Sequence, residues 1–127
     1  MNLTETQIAN DLRNIATAEY AGWRNIHRVT KAERNILLNE HEYVAKNALV
    51  GYEPAGWLQL VHDYCDDPRH IQALLHQLSI GDKLKFTTKL CFVLKAPKPK
   101  YLWEASASEL VDAYLRLQLE NKLPKQS

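Results

Sequence analysis

The spacing of apolar side chains predicts a series of amphipathic helices. Apolar residues recur every three or four positions in most segments, as they do on the buried face of a helix. The spacing of a capping box begins at Thr4, Thr30 and Ser106, and each of these residues is followed by a helical pattern. The predicted helices cover about residues 5–21, 31–50, 54–65, 68–80 and 106–121.

Residues 83–95 fit two patterns. Strict alternation of apolar and polar residues predicts a strand, whereas Phe86, Leu90 and Leu94 also share one face of a helix that Asp82 would cap. We favour a helix, because no other segment reads clearly as a strand that could pair with this one. The predicted fold class is all-α, an irregular bundle of five or six helices. The alternative is α+β, if residues 83–95 form a strand or a hairpin.

Length and composition predict one ordinary globular domain. The chain has 127 residues, of which 46% are hydrophobic and 24% are charged, so it can bury a core without a metal or a disulfide. We expect a single helical domain over residues 1–121 and a flexible tail over residues 122–127. The net charge of +1 gives no overall attraction to nucleic acid or membrane.

The N-terminal residues lack the basic and apolar regions of a signal peptide, and the apolar stretch Leu90–Leu94 is too short to span a bilayer. We therefore expect a cytoplasmic protein without membrane contact.

Cys65 and Cys91 form no regular motif and are predicted to be free, buried thiols.

No catalytic, metal or cofactor motif stands out. Six neighbouring side chains could in principle bind zinc, but their spacing is better explained by a helix end followed by the Asp67-Pro68 cap of the next helix. They are His62, Asp63, Cys65, Asp66, Asp67 and His70. Four scattered glycines cannot form a phosphate-binding loop. The sequence predicts a protein that is not an enzyme and that uses no metal or cofactor.

Aromatic residues beside predicted helix ends are candidates for contact with a protein partner, because tryptophan and tyrosine dominate interface hot spots. They are Trp23, Trp57, Tyr101 and Trp103. This profile predicts an adaptor, an inhibitor or a regulatory accessory protein, of a kind common in phages and mobile elements. Nothing in the sequence indicates the oligomeric state.

A basic segment supports an alternative, a regulator that binds nucleic acid. Lysines interleaved with aromatic residues can bind phosphates and stack bases. The candidate residues are Lys83, Lys85, Lys89, Lys95, Lys98 and Lys100, with Arg24 and Arg28 from the basic region of residues 24–34. Residues 3–12 followed by 16–28 are similar to the paired helices of helix-turn-helix DNA-binding proteins, but the usual turn glycine is missing.

Overall fold

A computed structural model describes residues 4–95 and 101–122. In that part of the chain, five α-helices accompany a three-stranded antiparallel sheet, so the fold is α+β and the all-α prediction is wrong. The helices are α1 (Glu5–Tyr20), α2 (Lys31–Leu37), α3 (Pro68–His76), α4 (Ile80–Val93) and α5 (Ala107–Lys122). The strands are β1 (Arg24–Arg28), β2 (Leu49–Tyr52) and β3 (Leu58–Leu60), and a short 3₁₀ helix covers Leu102–Glu104.

Helix ends with local capping signals are where the sequence predicted them. At the start of α1, the Thr4 amide donates to Gln7 Oε1 and the Gln7 amide donates to Thr4 Oγ1, which completes a capping box. The same reciprocal pair joins Ser106 and Glu109 before α5. Asp67 caps α3, with Pro68 in its first turn.

The C-terminal end of α1 is a glycine stop. Gly22 has a φ of 101°, its amide donates to the Glu19 carbonyl, and the Trp23 amide donates to the Ala18 carbonyl at 3.0 Å. These two bonds form a Schellman motif, which satisfies carbonyls that the helix end would leave unpaired. Because α1 continues without a turn through residues 12–16 and β1 follows it, the helix-turn-helix similarity does not extend to the structure.

The helix predicted over residues 31–50 is wrong beyond its first two turns. Helix α2 ends at Leu37, and an irregular segment follows until β2 begins at Leu49. The Arg34 guanidinium donates from Nε to the Val44 carbonyl at 2.7 Å, which holds this segment against the end of the helix. Val44 is buried with Leu37 and Val50, so its apolar character reflects a packed loop.

The helix predicted from Pro54 is also wrong, because residues 53–57 form the turn between β2 and β3. The Glu53 amide donates to the Trp57 carbonyl and the Gly56 amide to the Glu53 carbonyl, and Gly56 has a φ of 97°. A proline followed two residues later by a left-handed glycine suits a type I turn with a bulge. Proline opens helices as readily as turns, so Pro54 alone could not distinguish the two structures.

The order of strands in the sheet is β1-β2-β3. Gly51 lies in the central strand, and a Cβ atom there would be 2.9 Å from Ile26 Cγ1 of β1. The register shifts between Arg24 and His27, where Asn25 has a φ of 53°. This bulge interrupts the period-two pattern by which strands are recognised in a sequence.

The segment predicted as helix or strand is helical, as we favoured. Helix α4 begins one turn earlier than expected, because Ser79 caps it by accepting a hydrogen bond from the Asp82 amide at 3.1 Å. The helix predicted over residues 68–80 ends earlier, at His76, and Gly81 lies in the first turn of α4.

The described chain divides into two compact units. One unit contains the residues up to Thr17 and those from Asp63 onward, and the other contains Ala18–His62. In the first unit, Leu90, Leu94 and Ala113 form a buried cluster with Phe86, Val93, Ala105 and Leu110 around it. In the second unit, Leu37, Val44 and Val50 form a buried cluster, and Leu58 and Leu60 of β3 pack against it.

The single-domain organisation over residues 1–121 stays a prediction. Lys122 ends α5, and the other residues of the predicted tail lie outside the described part of the chain. Among the described helices, none is both long enough and apolar enough to cross a membrane, and the longest have 16 residues.

Candidate protein-binding surface

Helix α4 has apolar side chains on more than one face. Its inner face, with Leu90 and Leu94, packs against Ala113 of α5. Outside that inner face, Ile80 keeps 81%, Leu84 68% and Phe92 60% of its full exposure. Ile80 and Leu84 are four residues apart, so they lie next to each other along one face of the helix. Large apolar side chains that remain in contact with water at helical spacing indicate a surface for a partner.

A groove of about 430 Å³ separates the outer side of α4 from α5. Its lining combines aromatic and aliphatic surface with two cations and one carboxylate. The lining residues are Thr88, Lys89, Phe92, Arg116, Leu119 and Glu120. We call these residues, together with Ile80 and Leu84, the α4–α5 face.

The charged side chains of the α4–α5 face differ in what they contact. Lys89 Nζ lies 3.1 Å from Glu120 Oε1, so these two charges neutralise each other. The Arg116 guanidinium carbon lies 5.2 Å from the centroid of the Phe92 ring, within the range of a cation–π contact. In the described part of the chain, no carboxylate pairs with Arg116. The groove thus has an apolar floor and a cation that remains available to an acidic group.

The four aromatic residues predicted to contact a partner have different environments. Trp23 is only 5% exposed, and its ring meets His62 edge-on at 5.3 Å, so it belongs to the core of its unit. Trp57 is exposed where the β2–β3 turn meets β3. Tyr101 and Trp103 are both exposed, and their rings stack in parallel with centroids 4.6 Å apart. The structure therefore leaves three of these four side chains accessible.

The predicted basic residues are spread over both units. Lys83, Lys85 and Lys95 are exposed on or just after α4, whereas Lys89 pairs with Glu120. Lys98 and Lys100 lie outside the described residues. Arg24 and Arg28 are at the two ends of β1, and Arg28 donates from Nη1 to the Asn47 carbonyl at 2.9 Å.

The two cysteines have contrasting environments, which corrects the prediction that both are buried. Cys91 is exposed on α4, while Cys65 is buried and burial raises its pKa to about 11. The Cys65 thiol is therefore protonated near neutral pH, and a protonated thiol is a poor nucleophile.

The acidic junction before α3 is held by hydrogen bonds within its own unit. Asn14 Nδ2 donates to Asp63 Oδ1 at 3.1 Å, and the neighbouring Asp63 charge raises the pKa of Asp66. The side chain of Arg69 and then its backbone amide, which donates to Asp67 Oδ1, lower the pKa of Asp67 to about 2. Within residues 4–95 and 101–122, no group of three or more His, Cys, Asp or Glu side chains is arranged to hold a metal ion.

Most residues of the α4–α5 face were not predicted from the sequence to bind a partner. Ile80, Leu84, Phe92, Arg116 and Leu119 were not among the predicted sites. The sequence did carry a signal for an exposed apolar surface. Helix α4 has more apolar residues than fit in the single buried stripe, about 100° wide, of an ordinary amphipathic helix. Which side of α4 is covered depends on where α5 lies.

Protein-family models, curated proteins and solved structures yield no match to this chain.

Proposed function

We propose that this chain is a non-enzymatic protein-binding protein of the adaptor, inhibitor or regulatory kind, and that the α4–α5 face is its main contact surface. The observation that supports this function is the exposure of Ile80, Leu84 and Phe92 on α4, of which Phe92 also lines the groove. These side chains contribute nothing to the core of their own unit, and a partner that covers them removes them from water.

The exposed apolar side chains of this surface can supply part of the free energy that a specific complex needs. Burying a large apolar side chain completely is worth about 1.5–3 kcal/mol, so three or four such residues can offset part of the entropy that association costs. Arg116 over the Phe92 ring adds the type of residue that is common in hot spots. Lys83 and Lys85 are exposed on α4 next to Leu84 in the sequence, so charged residues flank the exposed apolar ones, as they do at the rim of an interface.

A protein fits this surface better than a lipid bilayer does. The groove between α4 and α5 is concave, and a row of side chains from a partner can fill it, whereas a flat membrane surface leaves it empty. Many domains bind the apolar face of a partner helix in a cleft of this kind, which is lined by apolar side chains and a few charged groups.

Site-specific photo-crosslinking in lysate of the native source tests the proposal. A photoreactive residue at Leu84 should capture a discrete protein, and the same residue at the exposed Gln72 of α3 should not. Adding Phe92→Ser should remove the capture at Leu84 while the circular dichroism spectrum remains unchanged. The proposal fails if the pattern is the same at both positions, or if Phe92→Ser has no effect on a captured protein.

A second function, nucleic-acid binding, is supported by the Tyr101–Trp103 stack. Two parallel exposed rings offer a surface on which a base can stack, and Lys83, Lys85 and Lys95 supply exposed cations from the same unit. Gel shifts with generic single- and double-stranded DNA and RNA test this function. Binding should fall steeply between about 50 and 200 mM salt and should be lost in Trp103→Ala. The absence of retardation at low salt would remove it.

A further inference from the structure

Helix α1 has a second exposed apolar face, in the same unit as the α4–α5 face. Leu12 is 63% exposed, and Ile8 is exposed one turn before it. Ala9 is exposed beside them, so this part of α1 presents a continuous small apolar surface. We call Glu5, Ile8, Ala9, Asp11 and Leu12 the α1 face.

The charge of the α1 face is negative. Glu5 is exposed near Ile8 and Leu12, and Asp11 is half-exposed on the other side of them. No lysine or arginine occurs between Thr4 and Leu12 in the sequence. The next cation, Arg13, points away to α5, where its Nη1 lies 2.7 Å from Asp112 Oδ1.

The charge of the α4–α5 face is positive. Helix α4 contains three lysines and one acid, Asp82, which accepts a hydrogen bond from Asn121. Lys85 is exposed on the groove side of α4, two helical turns before Phe92. Arg116 adds a cation inside the groove, and Glu120 offsets only Lys89.

The α1 face is therefore complementary in charge to the α4–α5 face, whereas neither face is complementary to a second copy of itself. Two α4–α5 faces brought together would place Arg116 of one copy, with the exposed Lys85 nearby, against the same cations of the other copy. Two α1 faces would place the exposed Glu5 of one copy against Glu5 of the other. Like charges brought into contact disfavour an interface, whereas opposite charges select the partner and the orientation. We propose that the α1 face of one copy of this chain docks into the α4–α5 face of a second copy.

This inference rests on the proposed function, since it names a second copy as the partner of the same surface. In the docked pair, Leu12 and Ile8 fill the groove beside Phe92 and Leu119, and Glu5 approaches Arg116. The contact joins two different faces, so it either closes when two copies dock reciprocally or continues from copy to copy. Association should strengthen with protein concentration and weaken with salt, because opposite charges at the rim are screened.

Sedimentation velocity with two complementary variants of the full chain tests the inference. Ile8→Ser with Leu12→Ser removes the apolar part of the α1 face, and Phe92→Ser with Leu119→Ser removes that of the α4–α5 face. The wild-type chain should gain mass with concentration, and each double variant alone should sediment as a monomer. An equimolar mixture of the two variants should form a dimer, because each supplies the face that the other lacks.

Two results would overturn the inference. One is a wild-type chain that stays monomeric up to millimolar concentration. The other is self-association that survives in the Ile8→Ser, Leu12→Ser variant, which would show that α1 is not the occupant. A monomeric chain whose Leu84 crosslinks to a different protein would leave the proposed function standing, so the two failures are distinguishable.

Exchanging the charges of Arg116 and Glu5 tests whether opposite charges hold the two faces together. Arg116→Glu and Glu5→Lys should each weaken self-association about tenfold or more, and the chain with both changes should recover most of it. Unchanged circular dichroism and unfolding temperature control for the fold, because both side chains are exposed. A double variant as weak as the single ones would contradict the proposed pairing of the two faces.

Discussion

The side-chain oxygen of Asn14 accepts a hydrogen bond from the backbone amide of Cys65 at 3.1 Å. Asn14 lies on α1 and is buried, and its Nδ2 atom donates to Asp63 in the same arrangement. One amide side chain therefore ties the irregular segment before α3 to α1. Both of its polar ends are needed there, because buried N–H groups without a partner are costly.

Replacing Asn14 with alanine should lower the free energy of unfolding by about 1–3 kcal/mol, because the buried Cys65 amide then has no acceptor. Urea denaturation measures the change. The exposed Asn39 is a matched control, and Asn39→Ala should change stability by less than about 0.5 kcal/mol. Equal effects of the two substitutions would contradict the role of Asn14.

Leu117 and Leu119 provide a matched pair on one helix. Leu117 is fully buried and Leu119 is exposed in the groove. Leu117→Ala should cost about 2–5 kcal/mol of unfolding free energy, since it removes buried atoms and leaves a cavity. Leu119→Ala should be nearly neutral in the monomer. A small effect of Leu117→Ala in urea denaturation would mean that α5 is not packed as described.

Alanine should have opposite effects on stability at two glycines, because Gly51 lies where β1 closely approaches β2 and Gly81 has open space around it. Gly51→Ala places a Cβ atom 2.9 Å from Ile26 Cγ1 and 3.2 Å from the Arg24 carbonyl oxygen, so it should destabilise the chain by about 1–3 kcal/mol. Gly81→Ala has open space around it in α4 and should stabilise the chain by about 0.5–1 kcal/mol. Thermal unfolding distinguishes the two, and a neutral Gly51→Ala would contradict the strand pairing.

His27 predicts a pH dependence of stability. Its Nδ1 lies 2.7 Å from the Asn25 carbonyl and its Nε2 lies 2.9 Å from Glu33 Oε1, so both ring nitrogens face acceptors and favour the protonated ring. The Asn25 carbonyl and then Glu33 raise the pKa of His27 above its ordinary 6.5. The Thr30 amide and then His27 lower the pKa of Glu33 below its ordinary 4.5.

The sign of each contribution follows from these directions. The His27 contribution is complete below about pH 6.5 and is lost as pH rises through the raised pKa, while the Glu33 contribution is lost as pH falls below about 4.5. The stability difference between wild type and His27→Gln should therefore be largest between these values and shrink toward pH 8. Chemical denaturation at a series of pH values measures it. A difference that does not change with pH would contradict the interaction.

The cysteine environments predict selective modification. At pH 8 a thiol reagent should label the exposed Cys91 of the folded chain, whereas Cys65 should react only on unfolding, because it is buried and has a pKa near 11. Peptide mapping after labelling with and without urea identifies the modified residue. Rapid labelling of Cys65 in the folded chain would show that the segment tied by Asn14 opens readily.

Local signals in the sequence were enough for the helices whose ends carry their own caps. The Thr4 and Ser106 capping boxes, the Asp67-Pro68 start and the Gly22 stop act on residues within a turn of themselves. The predicted bounds of α1 and α5 and the predicted start of α3 are therefore close to the observed ones, whereas α3 ends four residues before the predicted end at residue 80. The helical form of residues 83–95 follows from the same kind of short-range pattern.

The sheet and the candidate surface depend on contacts between residues far apart in the chain. Strands of three to five residues, with a bulge at Asn25 and a glycine at residue 51, have too little regular alternation to be recognised alone, and each is stabilised by the neighbour it pairs with. In the same way, α4 has apolar residues on several sides. Helix α5 buries Leu90 and leaves Ile80 and Leu84 in water, because a helix can pack only one of its faces against a single neighbour.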